Sequence, residues 1–346
     1  MNNHLLPVPY NQSKPPTWKD RFLHPLFNAL LPSGSPQRST PLRPSSAIST
    51  QLQSNGAANL PPIRIICISD THNATPVLPP GDILIHSGDL TARGTFDEVQ
   101  AQLRWLQSQP HLHKIVIAGN HDLLLDEACD DKFPTRGDLD PEEKRATLDW
   151  GGIMYLQNES VNLEVTIQVP NSAAGEQQSV TRNVKIYGSP LTPELGQWAF
   201  QSPAIRDVWT GRIPDDIDIL AVHGPPALYG DNDEEQGPSG NVKVKGDGYL
   251  LREIRKTQPK IVVCGHIHGA YGVATIEHDG IQDIMDGQQM RWPGHNSLNS
   301  LKRTMQSRRT SSGHTACSKQ TLVVNATVAP AALRNDDKPA IAIDLH

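Results

Sequence analysis

IRIICISDTH, residues 63–72, opens with an apolar run from Ile63 to Ile68, broken only by Arg64, that gives way after Ser69 to Asp70-Thr71-His72. A short apolar run bounded by polar residues is the pattern of a buried strand. On an extended backbone, side chains two apart point the same way, so Asp70 and His72 can face one cation. An Asp after a strand is more often a turn or a helix cap, and this segment alone does not define a chemistry. The pattern recurs, however, along the chain. DILIHS is followed by Gly88-Asp89, KIVIA by Gly119-Asn120-His121-Asp122, IDILAV by His223-Gly224-Pro225-Pro226, and IVVC by Gly265-His266-Ile267-His268.

Five strand ends thus deliver carboxylate, amide and imidazole to what is expected to be one edge of a sheet, where open α/β sheets place their sites. Asp89 has two carboxylate oxygens and could bridge two cations, Asn120 could be a neutral ligand, and His121 could project toward substrate. The imidazoles of His266 and His268 share one side of an extended segment. Mixed oxygen and nitrogen donors without thiolate suit Mn²⁺, Fe or Zn²⁺ in a catalytic rather than a structural site.

Around these strands, Ile63–Ile68, Ile83–His86, Lys114–Ala118, Ile217–Val222 and Ile261–Cys264, the spacing predicts helices over Thr95–Gln107, Asp140–Trp150 and Gly248–Thr257. Thr95 with Glu98 forms a capping box, and Asp140 caps a helix with Pro141 in its first turn. The alternation is that of a layered α/β domain. Val161–Val169 and Val180–Tyr187 read as a hairpin around the turn-rich Asn171–Gln178, opening a second sheet. Strands are also expected at Gly272–Glu277, Thr321–Val324 and Ile341–Ile343, with Asp344 ending the last.

Residues 1–62 are rich in Pro, Ser, Asn and Gln and are expected to be a disordered arm preceding a domain over 63–346. Within the arm, Trp18–Leu31 carries an apolar helical face interrupted by Pro25 that could dock on the body or on a membrane surface. Asp279–Gln320 is polar, lacks periodicity and is expected to be a mobile insertion.

The chain has 346 residues, 37% of them apolar, enough for a full core, and a net charge of −6 offers no field that would draw it onto nucleic acid. Cys67, Cys129, Cys264 and Cys317 are irregularly spaced, which fits free thiols in a reducing compartment, with Cys67 and Cys264 in the core. No run is long enough to span a membrane, and Met1–Tyr10 lacks the features of a secretory signal. A cytoplasmic protein is expected. The scarcity of acids before Asp70 leaves a mitochondrial leader as the alternative. Composition is silent on oligomeric state.

Taken in order, Asp70-x-His72, Gly88-Asp89, Gly119-Asn120-His121-Asp122, His223-Gly224 and Gly265-His266-x-His268 resemble the blocks of the calcineurin-like metallophosphoesterases, over about residues 63 to 345. GDLT (88–91), HGPP (223–226) and YGSP (187–190) further resemble metallophosphoesterase-domain proteins related to class III cyclic-nucleotide phosphodiesterases. The resemblance implies a four-layer α/β/β/α sandwich with two central mixed sheets and two divalent ions, manganese favoured. Asp70, His72 and His268 would hold one ion, Asn120, His223 and His266 the other, and Asp89 would bridge them. A water bridging ions about 3.5–4 Å apart would be the nucleophile. His121 would protonate or polarise the leaving oxygen, with Asn120 also near substrate.

GDLTARG (88–94) is similar to a block of the protein serine/threonine phosphatases, but Ala92 stands where that branch has an acid paired with the catalytic histidine. Hydrolysis of a small phosphodiester such as a cyclic nucleotide is therefore the favoured expectation. A phosphomonoesterase or protein phosphatase, and a weakly active binding module, are the alternatives. Arg93 falls where that branch binds phosphate, although a surface salt bridge is at least as natural. Other histidines have plainer roles. His86 is expected buried and hydrogen-bonded, and His111, His113, His278, His295 and His314 exposed. The acidic run Asp231–Glu235 reads as a solvated loop.

Overall fold

The computed structural model describes residues 50–51, 60–130, 140–170, 177–231, 245–290, 319–329 and 338–346, all within one compact unit, Ser39–His346. Two six-stranded mixed sheets carry the chain. The first, in the order β1-β14-β2-β3-β4-β5, contains β1 (Thr50–Gln51), β2 (Ile63–Ile68), β3 (Ile83–Ser87), β4 (His113–Ile117), β5 (Ile153–Tyr155) and β14 (Ile341–Leu345). Only the β14–β2 pair is antiparallel. The second, in the order β12-β13-β11-β10-β7-β6, contains β6 (Glu159–Pro170), β7 (Gln177–Ser189), β10 (Ile219–Val222), β11 (Ile261–Cys264), β12 (Gly272–Glu277) and β13 (Gln320–Asn325). Between β7 and β10, β8 (Thr192–Pro193) and β9 (Gln201–Ser202) form a small separate pair.

Side-chain parity builds the layers. Ile63, Ile65 and Cys67 of β2 and Ile83 and Ile85 of β3 face inward and meet Ile219, Ala221, Ile261 and Val263 of the other sheet in a buried core between the sheets. The alternate residues Ile66, Ile68 and Leu84 face outward and pack on Val99, Leu103 and Leu106 of α1 (Phe96–Gln107). On the far side, Leu220, Val222 and Val262 pack on Leu250, Leu251 and Ile254 of α3 (Gly248–Thr257). The fold is a four-layer α/β/β/α sandwich. Because β2, β3, β10 and β11 are covered on both faces, they read in the sequence as largely apolar runs, interrupted in β2 by the exposed Arg64 and in β3 by His86 and Ser87.

The Thr95–Glu98 capping box is present at the start of α1. Helix α2 (Pro141–Ala146) begins as expected at its Asp140 cap but ends four residues early, because Gln100 and Gln107 of α1 bind the backbone of Asp149 and turn the chain toward β5. The hairpin β6–β7 pairs in register from Glu159–Gly188 to Pro170–Gln177.

Several expectations need correction. Asp344 does not end the last strand. β14 continues through Leu345, with Asp344 paired opposite Arg64. Part of the expected arm is strand, since Thr50–Gln51 runs parallel to β14. The rest of the arm up to residue 59, with Trp18–Leu31, lies outside the described residues. The insertion opens with a helix, α4 (Gly280–Gln289), whose short apolar stripe in the sequence, Ile281, Ile284 and Met285, lies at the head of a long polar stretch, and which is reinforced by an ion pair. Its buried Asp286 accepts from Arg255 and from the Tyr229 hydroxyl. Residues 291–318, including His295, His314 and Cys317, lie outside the described set.

Candidate metal centre

Every candidate ligand lies in a loop leaving the C-terminal end of a parallel strand. Asp70 and His72 follow β2, Asp89 follows β3, Asn120 follows β4, His223 follows β10, and His266 and His268 follow β11. As β2-β3-β4 are neighbours in one sheet, β10-β11 are neighbours in the other, and the inner faces pack together, these five loops converge.

The turns are sharp. Asp70, His72, Asp89 and His266 have φ of 56°, 43°, 54° and 66°, a region non-glycine residues rarely adopt and one that concentrates at functional sites. Backbone bonds hold them there. Asp70 N donates to Gly88 O at 2.9 Å and His72 N to Asp89 O at 3.1 Å, and His266 N donates to the Asp70 carboxylate at 3.0 Å across the sheets. The last contact needs bare backbone beside it: a Cβ on Gly265 would collide with Ser69 Oγ and Asp70 Oδ2.

Three groups of donor atoms gather within 4.8 Å of one another: Asp70, His72 and His268; His72, Asp89 and His121; and Asp89, His223 and His266. Asp89 belongs to two of them. Its Oδ1 is 3.3 Å from His223 Nε2 and its Oδ2 is 3.8 Å from His72 Nε2, so one carboxylate faces both imidazole sets. Asn120 joins the second set with Oδ1 3.1 Å from His223 Nε2. All seven expected ligands are brought together.

The donor chemistry fits cations. His72 Nδ1 is 3.1 Å from Thr91 O and His223 Nδ1 is 2.8 Å from Ser87 O. A carbonyl can only accept, so each Nδ1 carries a proton and each Nε2 is turned inward, where it can hold either a second proton or a metal cation. There, His72 Nε2 faces His268 Nε2 at 3.3 Å, and His223 Nε2 faces the oxygens of Asn120 and Asp89. Such close pairs of nitrogen and oxygen need a proton or a metal cation between them.

Electrostatics point the same way. Burial works to raise the carboxyl of Asp70, yet the His268 hydrogen bond and the His223 charge hold it well below the usual range. Burial also opposes ionisation of Asp89, which His223 nevertheless pulls down. Burial disfavours charge on His223, but the two carboxylates, Asp89 first, raise it to about 9. A field strong enough to keep a proton on a fully buried imidazole suits a divalent cation in its place. By contrast, His266 is pushed down to about 4 by burial and by the neighbouring His223.

His121 sits at the rim. Its backbone N–H donates to Asp89 Oδ1 at 2.8 Å, and its Nδ1 is 2.9 Å from the Ala92 carbonyl. The acid missing at position 92 therefore does not leave the ring unoriented, because the backbone of that residue accepts the proton instead. Arg93 is exposed, is not drawn into the cage, and forms no ion pair among the described residues, contrary to the salt-bridge alternative.

Supporting residues surround the cage, and Asn325 among them carries no sequence signal. Asn325, at the end of β13, is buried and donates to the carbonyls of Gly230 and Ile267, bracing the loop that holds His266 and His268. Asp122 accepts from the N–H groups of Gly119, Leu90 and Thr91, tying the Asp89 loop to the Asn120 loop, and burial followed by the nearby Asp89 raises it to about 6. His86 is buried beneath the site against the Thr71 hydroxyl, as expected. His111 is not exposed: it is buried against the Pro79 carbonyl. His113 and His278 are partly buried. Asp231 is not solvated either, since its carboxylate accepts from the backbone of Lys245 and Gly246.

A four-layer sandwich with a mixed carboxylate, amide and imidazole cage at its strand ends defines a candidate dinuclear metal centre. The calcineurin-like phosphoesterase family model matches residues 63–270, and the chain belongs to that family, whose members hydrolyse phosphoesters with two metal ions. Metallophosphoesterase domain-containing protein 1 of Homo sapiens is 38% identical over 61% of this chain and 62% of its own length. UPF0046 protein C25E10.12 of Caenorhabditis elegans is 34% identical over 62% of this chain and 71% of that protein. A protein named probable rhamnogalacturonate lyase C, from Emericella nidulans, is 39% identical over 70% of this chain but only 21% of its own length. The chain thus spans about a fifth of one of these relatives and under two thirds of the human one. Among solved structures, that of TT1561 of Thermus thermophilus aligns with 62% of this chain and 84% of its own, at 14% identity and a TM-score of 0.38. No described helix is long and apolar enough to cross a membrane.

Proposed function

We propose that the protein hydrolyses a small phosphodiester, a cyclic nucleotide or a similar compound, in the cytoplasm with two divalent cations, manganese favoured. Asp70, His72 and His268 would hold one ion, Asn120, His223 and His266 the other, with Asp89 shared. When bound, such ions supply Lewis acidity toward phosphoryl oxygens and acidify a water. The chain's own residues do the rest. The carbonyls of Thr91 and Ser87 fix the tautomers of His72 and His223. The Asn120 amide borders the substrate, and His121, its Nδ1–H held by Ala92 O, gives a proton from Nε2 to the leaving oxygen when the ring enters the reaction as the imidazolium, and is left as the neutral Nδ1–H form. Arg93, exposed on the same loop, can reach a phosphate oxygen.

One observation carries this reading: acceptor atoms from five loops converge with Asp89 between them. The preference for diesters rests on the resemblance of GDLT, HGPP and YGSP to the subgroup related to cyclic-nucleotide phosphodiesterases.

The test is metal analysis joined to turnover of bis(p-nitrophenyl) phosphate, p-nitrophenyl phosphate and 2′,3′- and 3′,5′-cyclic nucleotides. Two equivalents of metal per chain and faster diester than monoester cleavage are expected. No turnover by metal-loaded protein would overturn the enzymatic reading, and a faster monoester would overturn the diester assignment.

A further inference from the structure

Between β8 and β9 the chain forms a short loop, residues 194–200, whose first four residues are exposed and whose Trp198 is half-buried against the centre. The indole of Trp198 stacks on the imidazole of His121, with ring centroids 4.2 Å apart and planes inclined by 28°. Two further contacts bound the same imidazole. Its Nδ1 lies 2.9 Å from Ala92 O, and His72 meets it edge-on at 4.8 Å and 82°.

These contacts divide the work of holding the ring. The carbonyl accepts from Nδ1–H and fixes the rotation within the ring plane, which leaves Nε2 as the nitrogen that carries the transferable proton in the imidazolium. The indole face, with His72 beside the ring, prevents the plane itself from swinging.

The loop is fastened to the residues it serves. Ala199 N donates to Asn120 O at 3.1 Å, Phe200 N to Asp126 Oδ2 at 2.7 Å, and Trp198 N to Gln201 Oε1 at 3.1 Å. Phe200 is buried in the outer core at a φ of 53°, a backbone state that persists only where its surroundings hold it. An indole carried on so short and so anchored a loop is built to stay in place.

We infer that Trp198 is a positioning residue for the reaction: its indole holds the His121 ring in the plane that aims Nε2 at the leaving oxygen. The inference deepens the proposed function and rests on its assignment of His121 as proton donor. It gives the small β8–β9 pair, otherwise peripheral to both sheets, a part in the chemistry.

The experiment compares wild type, W198A, W198F, H121Q and the double variant W198A/H121Q, all loaded with manganese and matched for metal content. The substrates are bis(p-nitrophenyl) phosphate and diphenyl phosphate. Nitrophenol departs readily as an anion, whereas phenol needs a proton in the transition state, so only the second substrate reports on His121. W198A is expected to lower kcat on diphenyl phosphate by roughly tenfold more than on the nitrophenyl ester, with KM little changed, as a misplaced catalytic group does. W198F should recover most of that loss. The double variant should be no slower than H121Q, since both changes act on one step.

If H121Q spares the nitrophenyl ester while W198A slows both substrates alike, Trp198 is merely structural and the inference fails alone. If H121Q itself slows both alike, the proton-donor role of His121 falls and takes the inference with it.

Discussion

The two sheets contribute unlike halves to the centre. Loops of the first sheet bring all the oxygen donors, Asp70, Asp89 and Asn120, with His72 as the one imidazole among its expected ligands. Loops of the second bring only imidazoles, His223, His266 and His268. Contacts across the seam join opposites. His268 Nε2 lies 3.1 Å from Asp70 Oδ1, His223 Nε2 lies 3.3 Å from Asp89 Oδ1, and His223 Nδ1 reaches Ser87 O at 2.8 Å. Neither half is a cage by itself, because buried carboxylates alone repel and neutral imidazoles alone attract cations weakly. Metal binding and the mutual seating of the sheets should therefore be coupled.

The largest expected break in this arrangement is Asp89→Ala, which removes the one carboxylate that faces both imidazole sets. Metal content should fall below two per chain and phosphodiester turnover should become undetectable in a protein that still folds. Retention of two equivalents of metal would show that the halves do not need that bridge.

A smaller break acts within the first sheet alone. Asp122→Ala leaves every donor in place but unties the Asp89 and Asn120 loops, leaving three backbone N–H groups without their acceptor. Metal affinity should weaken by about 10–100-fold, the range for groups that orient ligands, as measured by titration with a competing chelator. Unchanged affinity would mean that the loops are held by the sheet without it.

Acid tests each half through its own histidine, buried His86 and partly buried His278. Burial depresses His86 of the first sheet to about 3 and His278, beside the second, to about 4. Both are below the ordinary histidine value, so the fold favours their neutral forms. The resulting stability is intact above about pH 6.5, declines as pH falls, and is exhausted near 3 for His86 and near 4 for His278. Thermal melts of the metal-free protein should show this decline, and His278→Gln should flatten the part above about pH 4. An identical profile in the variant would place the acid sensitivity elsewhere.

The smallest effect expected is that of Arg93→Ala, since an exposed arginine outside the cage can add only a solvent-screened contact to substrate. KM should rise by less than about tenfold, with kcat and metal content unchanged. A loss of kcat would promote Arg93 into the reaction itself.

Much of this was legible locally. The outer limits of β2, β11, β12 and α3 coincide with their apolar patterns and caps, because a doubly covered strand or a capped amphipathic helix is written in consecutive residues. The seven donors were legible because a strand end followed at once by Asp, Asn or His is also a local signal. Helix α4 was less plain, since its apolar stripe of Ile281, Ile284 and Met285 is short and leads into a long polar stretch, and its ion pair to Arg255 depends on a distant residue. The burial of His111 was not legible, because it depends on a carbonyl supplied by Pro79.

By itself, then, the sequence determined which side chains would arrive at the strand ends, and the alternation of strands and helices that would carry them. Tertiary structure alone decided that Asp89 lies between the two imidazole sets, that a backbone carbonyl orients His121, and that Trp198 stacks upon it. The reason is physical: strand periodicity acts between neighbours in the chain, whereas these contacts join loops brought together only when the two sheets pack. A carbonyl, moreover, is common to every residue, so its use at Ala92 leaves no trace in residue identity.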